Sequence, residues 1–181
     1  MRVHVVAARA YLGAEQWRDA AIAAERATRI APTDIDGLFA LGVAQSHLSQ
    51  PAGALATFNR VLALDPKHAE AAYNAAILTG DHEDLSTTER LLRSTIANAP
   101  ANENAYWRLR SILKYQGRIV DVIALAQSFA TACPGSVRAQ FAVAEAYRFS
   151  GPAARELQLP LLLIRTLPLC NDGGTKSCPN L

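Results

Sequence analysis

The sequence predicts an all-α chain built from repeated helical hairpins, and three observations predict it. Prolines stand at Pro32, Pro66, Pro100, Pro134 and Pro168, each 34 residues from the next. A proline has no amide proton and its ring clashes with the preceding turn, so it cannot continue a helix, and each of the five marks a helix end. One helix end therefore recurs at the same point of a 34-residue unit. The composition agrees: half of the 181 residues are hydrophobic but only 7% are aromatic, and the apolar share is rich in alanine, which favours close helix packing over a sheet. A small residue also recurs at the eighth place of the unit, as Ala8, Gly42, Ala76 and Ala144, interrupted by Arg110. Small side chains let two helices approach.

The units run 1–34, 35–68, 69–102, 103–136 and 137–168, and each is expected to hold two helices. In the first, Tyr11 is a wedge and Ala20, at the twentieth place, a small packing residue; Ala54, Thr88 and Val122 follow at that place before Glu156 breaks the rule. Turn formers separate the two helices: Ser49-Gln50-Pro51 in the second unit, Gly80-Asp81 in the third, and Gly117 and Gly151 in the fourth and fifth. Pro51 and Pro152 suit the first turn of a second helix. His82-Glu83-Asp84 falls at a helix–helix turn, where Asp84 is read as the N-cap of the next helix. In the fifth unit Tyr147 repeats the wedge, but Pro160 should kink or end the second helix near Leu159. Residues 169–181 have no helical period and are rich in turn formers, so they are read as a flexible tail. Solenoids normally end in a polar capping helix, so the apolar run from Leu159 to Leu163 points either to further sequence downstream or to a surface for self-association.

Leu41-Gly42, Ala54, Phe58 and Pro66 in the second unit, and Tyr11, Trp17, Ala20, Ala27 and Pro32 in the first, resemble the tetratricopeptide repeat pattern over residues 1 to about 168. The resemblance implies a right-handed superhelical solenoid of about five helix-turn-helix repeats. It also implies a concave groove lined by the first helix of each unit, in which the fifth place of the unit faces a ligand. That place reads Val5, Phe39, Tyr73, Trp107 and Phe141. An aromatic there either contacts a bound peptide, as rigid aromatics do at binding hot spots, or packs on the neighbouring hairpin. Trp107 is the strongest single candidate, because tryptophan is the residue type most enriched in hot spots. Asn74 and Arg108 stand beside the row as donors for a peptide backbone or carboxylate. The implied groove is thus marked by Phe39, Tyr73, Asn74, Trp107, Arg108 and Phe141. The subclass of the family that grips chaperone tails does so with lysines, and the corresponding places hold Val5, Arg9, Ala40, Glu70 and Asn74, or one unit on Phe39, Val43, Asn74, Asn104 and Arg108. Neither frame supplies them.

Charge narrows the partners. Eighteen basic and 16 acidic residues leave a net charge of +2, which gives no global field for nucleic acid or an anionic membrane. RNA-binding helical repeats would show a basic groove and a 35-residue period, and this chain shows neither. Locally the charges divide: Asp36, Glu70 and Asp81 lie in the second and third units, and Arg108, Lys114, Arg138 and Arg148, against Glu145, in the fourth and fifth. Such a groove would orient a charged peptide, unless these are solvated faces that carry no message. The N-terminus reaches charge too early for a signal peptide, and the longest apolar stretch, Leu157 to Leu169, is interrupted by Gln158, Pro160, Arg165 and Pro168, so no membrane span and a cytoplasmic location are expected.

Cys133, Cys170 and Cys178 are too few for a disulfide framework or a four-ligand zinc site. His4, His47, His68 and His82 lack a second ligand at helical spacing, so no metal is expected. Gly173-Gly174-Thr175-Lys176-Ser177 lacks the upstream glycine and the Gly-Lys pair of a phosphate loop, and no Gly-x-Ser-x-Gly elbow occurs. The reading is a protein or peptide-binding scaffold, not an enzyme and without a cofactor. The alternative is the N-terminal repeat region of a larger bacterial enzyme, such as a sulfotransferase or glycosyltransferase, whose catalytic domain lies outside these residues.

Overall fold

The computed structural model describes residues 2–80 and 84–150. The expectations for Asp81, His82 and Glu83, for the second helix of the fifth unit, and for the tail with Cys170 and Cys178 fall outside the described residues. These hold nine helices and no strand: α1 (Arg2–Gly13), α2 (Trp17–Ile30), α3 (Ile35–His47), α4 (Pro51–Leu64), α5 (Ala69–Gly80), α6 (Leu85–Asn98), α7 (Glu103–Tyr115), α8 (Ile119–Ala132) and α9 (Val137–Ser150). The chain forms two compact units, residues 1–105 and 106–181, and each is described by itself.

In the first unit α1 pairs with α2, α3 with α4 and α5 with α6, and the hairpins stack in chain order through α2 on α3 and α4 on α5. This is the helical-repeat architecture of a solenoid, in which each repeat buries its apolar face against its neighbours. The repeated small residues lie at the crossings: Ala8, Ala20 and Ala54 are fully buried, and Ala76 is 1% exposed. Gly42 is the tightest of them, because a Cβ built there would lie 2.7 Å from Cε1 of the buried Phe58 ring. Thr88 takes its twentieth place among apolar neighbours by satisfying its hydroxyl locally, donating to the Asp84 carbonyl at 2.7 Å and pairing with the Thr79 hydroxyl at 3.0 Å.

Both kinds of junction repeat a hydrogen-bonding device. Where the first helix of a hairpin ends, Glu15 (φ 56°), Ser49 (φ 59°) and Gly117 (φ 71°) occupy the left-handed region at the same place of their units. Around each, two amides close a Schellman pair: Gln16 N–H donates to Tyr11 O and Glu15 N–H to Leu12 O in the first hairpin, with the counterparts Gln50 to Gln45 and Ser49 to Ser46, and Arg118 to Leu113 and Gly117 to Lys114. Where the second helix ends, Pro32, Pro66, Pro100 and Pro134 each sit in a turn. The residue two places beyond each proline caps the next helix. Asp34 accepts from Gly37 N–H at 3.0 Å, His68 from Ala71 at 3.2 Å, Asn102 from Ala105 at 2.9 Å, and Ser136 from Ala139 at 3.3 Å. Asp84 caps α6 from the hairpin turn itself, accepting from Thr87 N–H at 3.0 Å. The backbone and hydroxyl donors of Thr87 and Ser86 hold its carboxyl below the ordinary value.

The second unit is built differently at one place. Arg110 stands where the other units have a small residue, and it is buried against α9, with Nη2 at 2.6 Å from Glu145 Oε1. The contact is an ion pair without a directed hydrogen bond, and Arg110 Nε has no acceptor among the described residues. The same helix buries Tyr106, 1% exposed, flat against Phe129 of α8 at 4.5 Å between ring centroids. Its hydroxyl has no partner among the described residues. Burial pushes the phenol up to about 12, with Arg110 opposing and Glu145 adding to the shift. Leu109, Leu113, Val122, Ala126, Ala139 and Ala142 complete this core.

Candidate binding groove

The open groove of the first unit has a volume of about 340 Å³ and is built by three first helices and one cap. Arg9 and Leu12 come from α1, Asp36, Phe39 and Ala40 from α3, Glu70 from α5, and His68 from the turn that precedes it. Two pairs each share one face of their helix for a simple reason: Arg9 and Leu12 are three residues apart on α1, and Asp36 and Phe39 three apart on α3.

Phe39 forms the apolar floor. It is half-buried, tilted on Phe58 at 5.9 Å and on the His68 ring at 4.9 Å. His68 is held by two constraints. Its Nδ1 accepts the Ala71 N–H at 3.2 Å, and the same nitrogen lies 3.3 Å from Glu70 Oε2. A neutral imidazole nitrogen that is already accepting cannot also donate. The Glu70 contact is therefore an ion pair only with the protonated ring, and in the neutral ring the proton sits on Nε2. Asp36 and Arg9 have no ionic partner among the described residues. The groove thus offers a donor in the His68 Nε2–H, a cation at Arg9, two carboxylates, and an aromatic floor.

The residues implied from sequence are distributed over both units. Phe39 lines the groove described above. Tyr73 and Asn74 lie half-buried on α5 of the same unit, and the Asn74 amide is turned back on its own helix, donating to the Glu70 carbonyl at 2.9 Å. Trp107, Arg108 and Phe141 belong to the second unit. Trp107 is half-buried, edge-on to Tyr106 at 4.8 Å, with the Arg110 guanidinium 5.2 Å from its ring centre. Packing accounts for part of its surface. Arg108 is exposed and Phe141 is 62% exposed. His68 and Leu12 were not singled out as groove residues by sequence reasoning. The available signal for His68 was its place two residues after Pro66, the place held by the capping residues Asp34, Asn102 and Ser136 in the other units.

No family model matches the sequence, and no curated protein matches it. Solved structures do. MamA from Desulfovibrio magneticus RS-1, residues 41 to the end, is 19% identical over 92% of this chain and 96% of its own, with a TM-score of 0.64. The first TPR of Spaghetti (RPAP3), bound to an HSP90 peptide, is 16% identical over 64% of this chain and 94% of its own, at 0.59. A Thermobaculum terrenum O-GlcNAc transferase is 20% identical over 72% of this chain but 26% of its own, at 0.60. Among the described residues no helix is long and apolar enough to cross a membrane. With its helical hairpins, 34-residue period and these neighbours, the chain is by fold a tetratricopeptide-like helical-repeat protein.

Proposed function

We propose that the chain is a protein-interaction scaffold that binds an extended peptide or protein segment along the groove of its first helices, and that it is not itself an enzyme. The observation that carries this is the open groove of about 340 Å³, whose lining combines the Phe39 floor with Arg9 and Asp36, which have no ionic partner among the described residues. An apolar floor with a few placed polar groups is the usual make-up of a binding site. The RPAP3 neighbour, solved with a peptide bound, supports the reading by fold. Here Tyr73 and Asn74 extend the candidate surface of the first unit, and Trp107, Arg108 and Phe141 supply one in the second.

The test is selection from a displayed random peptide library against wild type, Asp36→Arg, and Tyr73→Ala/Trp107→Ala, after circular dichroism shows equal helicity. Peptides retained by wild type and lost by the variants support the scaffold reading; equal retention by all three refutes it. A second reading, the repeat region of a larger enzyme, is favoured by the likeness to the transferase, which spans 26% of that enzyme. The reading frame of the source gene, followed past Leu181, decides whether a catalytic domain belongs with these repeats.

A further inference from the structure

The small net charge of the chain conceals a division between its two compact units. Residues 1–105 carry twelve acidic and nine basic side chains, a net of −3, whereas residues 106–181 carry nine basic and four acidic, a net of +5. The first unit therefore attracts cations, and its groove concentrates that attraction. Glu70 is 61% exposed at the side chain and gains no donor from neutral His68, whose Nδ1 is occupied by the Ala71 amide. Asp36, exposed in the first turn of α3, has no ionic partner among the described residues. Asp36 and Glu70 line the same groove as Phe39, and Arg9 supplies the opposite sign from α1.

From this we infer that the occupant of the first-unit groove is a peptide segment presenting a basic side chain, lysine or arginine, seated over Phe39 between the α3 and α5 carboxylates. The inference rests on the scaffold reading above and names the chemistry of its partner. A long cationic side chain matches the site in each part. Its methylenes cover Phe39 and Ala40, its charged head meets Asp36 and Glu70, and an aromatic face adds cation–π attraction. The His68 Nε2–H, the donor left by the cap, suits a carbonyl of the peptide backbone. Arg9 repels a cation, so the basic side chain is placed at the α3–α5 end of the groove and the peptide is given a direction.

The experiment uses the full chain and the peptides won from the random library. The expected result is enrichment of lysine or arginine at one position of the groove-dependent peptides. Affinity of a synthetic winner then falls about 5- to 30-fold in Asp36→Asn/Glu70→Gln, as for loss of charge-assisted bonds in a partly exposed site, and rises in Arg9→Gln. Opposite signs from neighbouring substitutions are not produced by a general loss of folding. Groove-dependent peptides without a basic position, or winners that are acidic, overturn the inference while the scaffold reading stands. Absence of any groove-dependent peptide overturns both.

Discussion

Gly42 is the place where the packing of the fold can be tested by one methyl group. Its Cβ, once added in Gly42→Ala, lies 2.7 Å from Cε1 and 3.0 Å from both Cδ1 and Cζ of Phe58. Carbon atoms in good contact are about 3.5–4.0 Å apart, so roughly 1 Å must open between α3 and α4. Phe58 cannot supply it freely, being fully buried and tilted against Phe39. Overpacking of this kind costs about 1–3 kcal/mol, and so rigid a neighbour puts this case in the upper half of that range. Alanine recovers about 1 kcal/mol of helix propensity over glycine. The net is a loss of about 1–2 kcal/mol, or a Tm lower by about 5–10 °C for a unit of this size. Urea and thermal unfolding followed by circular dichroism measure it. The double mutant Gly42→Ala/Phe58→Leu sharpens the test, because removing the ring should cost less in the alanine background than in wild type. A Gly42→Ala chain more stable than wild type by about the propensity term would refute the close approach.

Four further outcomes are expected. Tyr106→Phe removes a buried hydroxyl without a partner and should stabilise the second unit by about 1 kcal/mol. It should also flatten the alkaline limb of the stability profile: with the folded phenol raised from 10.0 to about 12, this group's contribution is fully present below pH 10 and is lost as pH rises towards 12, which urea midpoints across that window will show. Ser49→Gly should gain about 0.5–1 kcal/mol at its left-handed φ of 59°, and Gly117→Ala should lose about 1 kcal/mol or more at φ 71°, both read by urea unfolding. His68→Ala should cost about 1 kcal/mol through loss of the α5 cap, with Asn in its place restoring most of the loss in the same unfolding assay. Arg110→Met alone should cost about 3 kcal/mol by leaving Glu145 unpaired, whereas adding Glu145→Met should return stability close to wild type.

What the sequence made legible follows from how local each constraint is. A proline stops a helix wherever it stands, so Pro32, Pro66, Pro100 and Pro134 announced the period and the helix ends. Small residues such as Gly42 and Ala54 marked the helix crossings because a close approach leaves room for little else. Asp84 was readable as a cap because a carboxylate at a helix start has one favoured use. By contrast, the left-handed place at Glu15 gave no signal, and Ser49 was readable as part of a turn but not as its left-handed residue, since neither is glycine and the turn is set by the two amides that close around it. Arg110 read only as a break in a pattern. Its reason, Glu145, lies one repeat further on, and no local property of arginine points there. Phe39 was placed by family resemblance, but the groove around it needed Leu12 and His68 from other elements, and those meet only once the hairpins stack.

The Arg110–Glu145 pair has a consequence for descent as well as for stability. Losing either partner strands the other charge in the interior, while losing both together is close to neutral. A lineage therefore cannot cross from the charged pair to an apolar one by single steps without passing through a weakened form. Among relatives gathered in future, position 110 should hold arginine where position 145 holds an acid, and a small residue where it does not, the two changing together across the family tree.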